Sequence, residues 1–224
     1  MPAQPLPPVS RAPAAVLIAA PLLAVLFMAL HPSVQAHSTT EAFAEMAREA
    51  SVNHTVHSIL IALIALQVLG FWGFVRRHGP AHVLIIAGYI AFVLGALAQF
   101  GAGVVNGLAV TSFQLRFTTA PVEQMELARI VLSFAWALNQ ALAQVGVVAA
   151  STAVLCWSVK LLHADGLWRG LGVLGLFVGV IPAAGVLSGL LSLNVLGFGA
   201  FVLLQAVWTV GVGVALWRDS ATTA

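Results

Sequence analysis

The sequence predicts an all-α fold, a polytopic membrane bundle of six transmembrane helices, and three observations carry that prediction. Only 7% of the 224 residues are charged and 61% are hydrophobic. A soluble domain carries about 25% charged residues, so this chain has too little charge to cover a water-facing surface. The apolar runs continue for roughly twenty residues, as membrane helices do, whereas the strands of a pore alternate apolar and polar over roughly ten. No long polar tract interrupts them, so residues 1–224 read as one integral membrane domain whose surroundings are the lipid bilayer.

Six runs stand out, at about 14–30, 55–75, 80–108, 130–159, 167–192 and 195–217. Each is long enough to cross ~30 Å of hydrocarbon at about 1.5 Å per residue. The first, AAVLIAAPLLAVLFMAL, ends at His31-Pro32. Between the first two runs, Ser38 and Glu41 have the capping-box spacing that starts a helix. Phe43, Met46, Ala47 and Ala50 recur there at helical intervals, with Glu41, Glu45, Arg48 and Glu49 on the other side. That pattern predicts a short amphipathic outer helix lying on the bundle's end or in the interface. The pattern from Glu123 to Lys160 is helical for ~57 Å at the α-helical rise, so the fourth span begins outside the membrane. Residues 31–54 and 109–129 are thereby expected to form an outer cap. The fifth run places Gly175 with Gly179, and Gly185 with Gly189, at the spacing that lets helices approach closely, and Pro182 predicts a bend between them.

The basic residues set an orientation. With the amino terminus inside, Arg11, Arg76, Arg77, Lys160, Arg169 and Arg218 fall inside and Arg48, Arg116 and Arg129 outside. Six against three places both termini on the cytoplasmic side and the first loop on the outer face. The nine basic residues are scattered, so no nucleic-acid surface is expected. The single cysteine, Cys156, excludes an internal disulfide. No nucleophile elbow, P-loop, HExxH or dinucleotide fingerprint is present, so no catalytic residue is assigned.

Polar groups inside a membrane face other helices or a cavity. In the third run Gly88, Gly95, Gln99 and Asn106 share one face; in the fourth, Arg129, Ser133, Gln140, Gln144 and Ser151 do, beside Asn139. One reading is interhelical bonding; the other is an outward-opening polar pocket lined by Gln99, Asn106, Arg129, Asn139 and Gln140. An inward Arg129 needs an anionic partner such as Glu49, Glu126 or a substrate carboxylate; an Arg129 that snorkels to the interface needs none.

Four of the seven histidines, His31, His37, His54 and His57, lie within residues 31–57. His54 and His57 are three apart, so both rings are expected on one helix face. Imidazoles without thiolates suit zinc, copper or iron, and His31 with His57 is the one outer pair suited to haem. Cleavage after V-Q-A would make His37 an amino-terminal copper chelator, but the preceding apolar run is longer than a secretory signal's. His78, His82 and His163 lie among inner-side basic residues and read as interfacial. Asn53-His54-Thr55 matches the glycosylation sequon but abuts the membrane.

The second half of the chain, from ALNQALAQVGVVAASTAVLCWSVKLL onward, resembles a group of uncharacterised six-helix bacterial inner-membrane proteins. The first half fits as well, with His31-Pro32 after the first run and Val56-His57 opening the second. The resemblance implies a bacterial plasma-membrane location and six helices, and supplies no activity. Three functions therefore stand side by side. The first is binding or transport of a small molecule or ion in the outward pocket. The second is a metal or haem site at the outer histidines. The third is a structural or assembly role, as a homo-oligomer or as a partner in a membrane complex.

Overall fold

The computed structural model describes residues 11–32 and 38–222. Among the described residues are six rods, each long and apolar enough to cross a membrane, as in a multi-pass membrane protein. They are α1 (Arg11–Ala29), α2 (Thr39–His78), α3 (Val83–Gly103), α4 (Val122–Leu161), α5 (Gly166–Leu187) and α6 (Val195–Thr222). Each packs against its neighbours in chain order, and α6 closes on α1, so the helices form a ring. The α5–α6 joint is the least extensive of the six.

The predicted short amphipathic helix is not a separate element. Ser38 does cap the helix, accepting from the Glu41 amide at 3.2 Å. The helix then runs 40 residues into the second span, because no Pro or Gly interrupts Thr39–Leu69. Its apolar side is nonetheless used as the pattern required. Phe43 is buried in a cluster with Met125 and Ala128 of α4 and with Phe113 and Phe117. Thus α2 and α4, each about 60 Å long at the α-helical rise, extend past the shorter helices at the same end and build the cap with the tail of α3.

That tail is irregular. After Gly103 the chain winds as a π-helix over Val104–Val110, then as an α turn, Thr111–Gln114, and a 3₁₀ turn, Leu115–Phe117. Helix α5 is shorter than its apolar run, stopping at Leu187 where the chain turns through Gly189 at φ +73°. Of its two glycine pairs only Gly175 and Gly179 serve helix packing. A methyl on Gly175 would meet Trp208 and Ser158, and one on Gly179 would meet Leu155. Pro182 is buried within α5, which remains one helix across it.

The basic end of the ring is solid. Phe71, Trp157 and Trp208 form a stack there, with Trp157 and Trp208 at 6.0 Å and 4° and Phe71 against Trp157 at 4.7 Å. Both indoles are fully buried, and each N–H donates to a backbone carbonyl, Trp157 to Ile85 at 3.0 Å and Trp208 to Leu171 at 2.9 Å. Gly88 leaves the berth for Trp157, since a Cβ there would lie 2.5 Å from its Nε1. Asp219 of α6 pairs with Arg77 of α2 at 2.9 Å and accepts from the Trp168 indole of α5 at 3.3 Å. His78, read from sequence as interfacial, is packed between the Phe74 and Trp168 rings, each at 4.4 Å. His82 instead caps α3, accepting from the Leu84 amide at 3.3 Å.

Candidate functional site

Above the aromatic stack the ring is hollow. A cavity of about 180 Å³ is lined by α1, α2, α3, α4, α6 and the α5–α6 turn, while α5 itself contributes nothing. At about 10–15 Å³ per water-sized site, that space holds roughly a dozen non-hydrogen atoms. The polar residues of its wall are His31, His57, Gln67, Gln99, Asn106, Asn139, Gln140, Asn194, Gln205 and Thr209. No described Asp, Glu, Lys or Arg lines it.

At the end away from the aromatic stack the wall is built around His57, which is buried at 7% exposure. Its Nδ1 lies 2.9 Å from the Asn53 carbonyl one turn earlier, and a carbonyl can only accept, so the ring proton sits on Nδ1. Nε2 is then the acceptor and takes a hydrogen bond from the Asn106 amide at 3.2 Å. The π-helix turns Asn106 toward His57. Its carbonyl is covered by the Asn53 amide and the Thr111 hydroxyl, both at 3.4 Å, and Asn53 also donates to Thr111 at 2.8 Å. Gly107 makes the contact possible, since any side chain there would collide with the His57 Cβ.

His31 reaches the same end from beyond α1. Its ring meets that of His57 edge-on at 4.9 Å, and its Nδ1–H donates to the Pro32 carbonyl at 2.8 Å. Its Nε2 lone pair is therefore directed away from that bond. Burial holds the His31 imidazole below its ordinary pKa, against the opposing pull of the Pro32 carbonyl. Both rings thus direct Nδ1–H to a backbone carbonyl, and the Nε2 of His57 accepts from Asn106. Gln140 donates to the Leu193 carbonyl at 3.3 Å, which ties α4 to the α5–α6 turn at the same level, and Asn194 caps α6 through the Gly197 amide at 2.9 Å.

Toward the aromatic stack the wall is lined by Gln67, one turn before Phe71, by Gln205 and Thr209 beside Trp208, and, farther from the stack, by Gln99. A Cβ on Gly146 would sit 2.5 Å from Gln99 Cγ, so that glycine keeps the space Gln99 occupies. The Gln205 amide nitrogen is buried with no hydrogen-bond partner among the described residues. Leaving such a donor unmet costs about 1–3 kcal/mol.

Of the pocket residues expected from sequence, Gln99, Asn106, Asn139 and Gln140 line this cavity and Arg129 does not. Arg129 lies exposed on the protruding part of α4 and pairs with Glu126 at 2.8 Å, one helical turn away. Thr39 donates to the other Glu126 oxygen at 2.7 Å. Of the histidines, His31 and His57 converge, but His54 is exposed on α2. Three residues leave the two side chains about 60° apart around the helix, so they share a broad face, and His54 stands at its exposed edge while His57 is buried. His37 lies outside the described residues. Among those described, no three His, Cys, Asp or Glu side chains converge as metal ligands. Sequence reading missed Asn53, Thr111 and Gln67. The spacing of Asn53, one turn before His57, was the available signal for the first. Comparison with protein-family models, curated proteins and solved structures yields no match.

Proposed function

We propose that this is a bacterial plasma-membrane protein, both termini cytoplasmic, that binds a small uncharged molecule in the outward-opening cavity, as the first step of its transport or sensing. The observation that carries the reading is the wall itself. Ten polar but uncharged residues, from α2, α3 and its tail, α4, α6, the α5–α6 turn and the segment after α1, converge on one space. Polar groups inside a membrane face either partners or cavities, and several of these amides face the cavity. A ligand bearing a full charge would find no counter-ion there and would lose its hydration. The resemblance to six-helix inner-membrane proteins supports the location, and the inner bias of basic residues supports the orientation.

The test is calorimetric titration of the protein in lipid nanodiscs with three molecules of one shape, benzamide, benzoate and benzylamine. Benzamide is expected to bind at least tenfold more tightly than either charged molecule, and Asn139→Leu to weaken it. Preference for a charged member sinks the reading.

A second reading rests on the paired imidazoles. Both donate Nδ1–H to backbone carbonyls and keep Nε2 as the lone-pair nitrogen, the arrangement that orients metal-ligating histidines. Copper, zinc, iron or haem retained stoichiometrically after purification, and lost in His57→Ala, would establish it. A blank by elemental mass spectrometry and visible absorption, with added metal not retained, would remove it.

A further inference from the structure

The polar residues of the cavity are not spread evenly. An upper group stands at the end away from the aromatic stack, with His31, His57, Asn106 and Asn139. A lower group lies toward the stack, with Gln67 and Gln205 nearest it and Gln99 above them. Seven residues separate Gln99 from Asn106 on α3 and ten separate His57 from Gln67 on α2, or about 10 to 15 Å at 1.5 Å per residue. Between the two groups the wall is hydrocarbon, including Ile61, Ile64, Ala143, Phe201 and Val202.

Each group has hydrogen-bonding capacity left over. At the top, the Nε2 of His31 is an acceptor with no described donor, and Asn139 makes no described hydrogen bond. At the bottom, Gln205 Nε2 is a buried donor without a partner. One cavity, with room for roughly a dozen non-hydrogen atoms, touches residues of both groups.

We propose that the cavity takes an extended, uncharged molecule with a hydrogen-bonding group at each end and hydrocarbon between them. The inference rests on the binding reading above and specifies its ligand class. One end donates to His31 and exchanges bonds with Asn139. The other accepts from Gln205 and is cradled by Gln67 and Gln99. The middle packs against the apolar wall. A molecule polar at one end only would leave Gln205 unmet.

The test compares suberamide, an eight-carbon chain with an amide at each end, with octanamide, the same chain with one amide, and with suberate. Titrations use the full chain in nanodiscs. Suberamide is expected to bind at least tenfold more tightly than octanamide. Gln205→Leu should erase that advantage, bringing suberamide down to the affinity of octanamide, while the melting temperature stays at or above the wild-type value, because an unmet buried donor is removed. Equal affinity for the two amides, with benzamide still bound, overturns the two-ended ligand and leaves the binding reading standing. If suberate binds best, or if neither these amides nor benzamide binds, both fall. Gln99→Leu supplies a second variant if Gln205→Leu does not fold, with the same expected loss of the diamide advantage.

Discussion

At the residue scale, two small features decide the chemistry of the histidine end of the cavity. Gly107 has no side chain, so His57 lies directly on the α3 backbone. Gly107→Ala forces one of the two aside, and overpacking of this kind costs about 1–3 kcal/mol. Unfolding in detergent should show that loss, and binding should weaken with it as His57 leaves Asn106. His31 gives a pH prediction with a definite sign. Its pKa in the folded protein lies below the ordinary 6.5, because burial disfavours the charged ring. The stability it contributes is complete above pH 6.5 and is lost as pH falls through the lowered folded value. The melting temperature of the wild type should therefore fall in mild acid more steeply than that of His31→Gln, which keeps a polar amide and does not titrate. Equal slopes would show that His31 is not responsible. The sequence marked His31 and His57 as an outer pair, but gave equal standing to His54. Helical spacing says which residues share a face, whereas which face turns inward is set by the neighbouring helices.

At the scale of elements, apolar patterning predicted well and irregular winding was hidden. The capping box at Ser38, the long fourth helix and the six spans all follow from periodicity and caps, which are local properties. The π segment Val104–Val110 has no such signature, since Val-Val-Asn-Gly-Leu-Ala-Val fits an α-helix equally well by composition. Its reason is tertiary. Asn106 meets His57, and its carbonyl finds Asn53 and Thr111, all from residues the local pattern could not pair. Arg129 failed for the same kind of reason: it shares a helix with Asn139 but stands where α4 has left the ring. Removal of the α2 cap by Ser38→Ala should cost about 1 kcal/mol. Because a 40-residue helix need not melt as a unit, the loss should appear as faster hydrogen exchange over residues 39–45, with the second span unaffected. Faster exchange throughout α2 would contradict that picture.

At the scale of the whole molecule, the ring is stoppered at one end and hollow at the other, and the two halves respond differently to substitution. Trp208→Ala empties a fully buried site and leaves the Leu171 carbonyl without its extra donor, a change expected to cost about 3–5 kcal/mol. Asp219→Asn breaks a pair whose side chains are 44% and 29% exposed, and such partly solvated pairs contribute about 0–1 kcal/mol. Denaturant titration of the two variants should separate them clearly, and comparable losses would mean that the basic end is held by charge rather than by packing.

Neighbourhood around the ring repeats neighbourhood along the chain, with one exception. Of the six interfaces around the ring, five join consecutive helices and that between α1 and α6 joins the two ends of the sequence, while α2 and α4 also meet in the cap. Assembly can thus proceed hairpin by hairpin as the chain emerges, and one late, long-range step converts an arc into a closed circle. The cavity does not exist until that step, since its wall needs both α1 and α6. Closure depends on Gly213, where a Cβ would lie 2.8 Å from Ile18 Cγ1 and 3.0 Å from the Ala14 carbonyl. Competence to bind is thereby a property of the finished circle, acquired at once and last, and an enlarged residue 213 should yield an inserted, helical arc with nothing to hold.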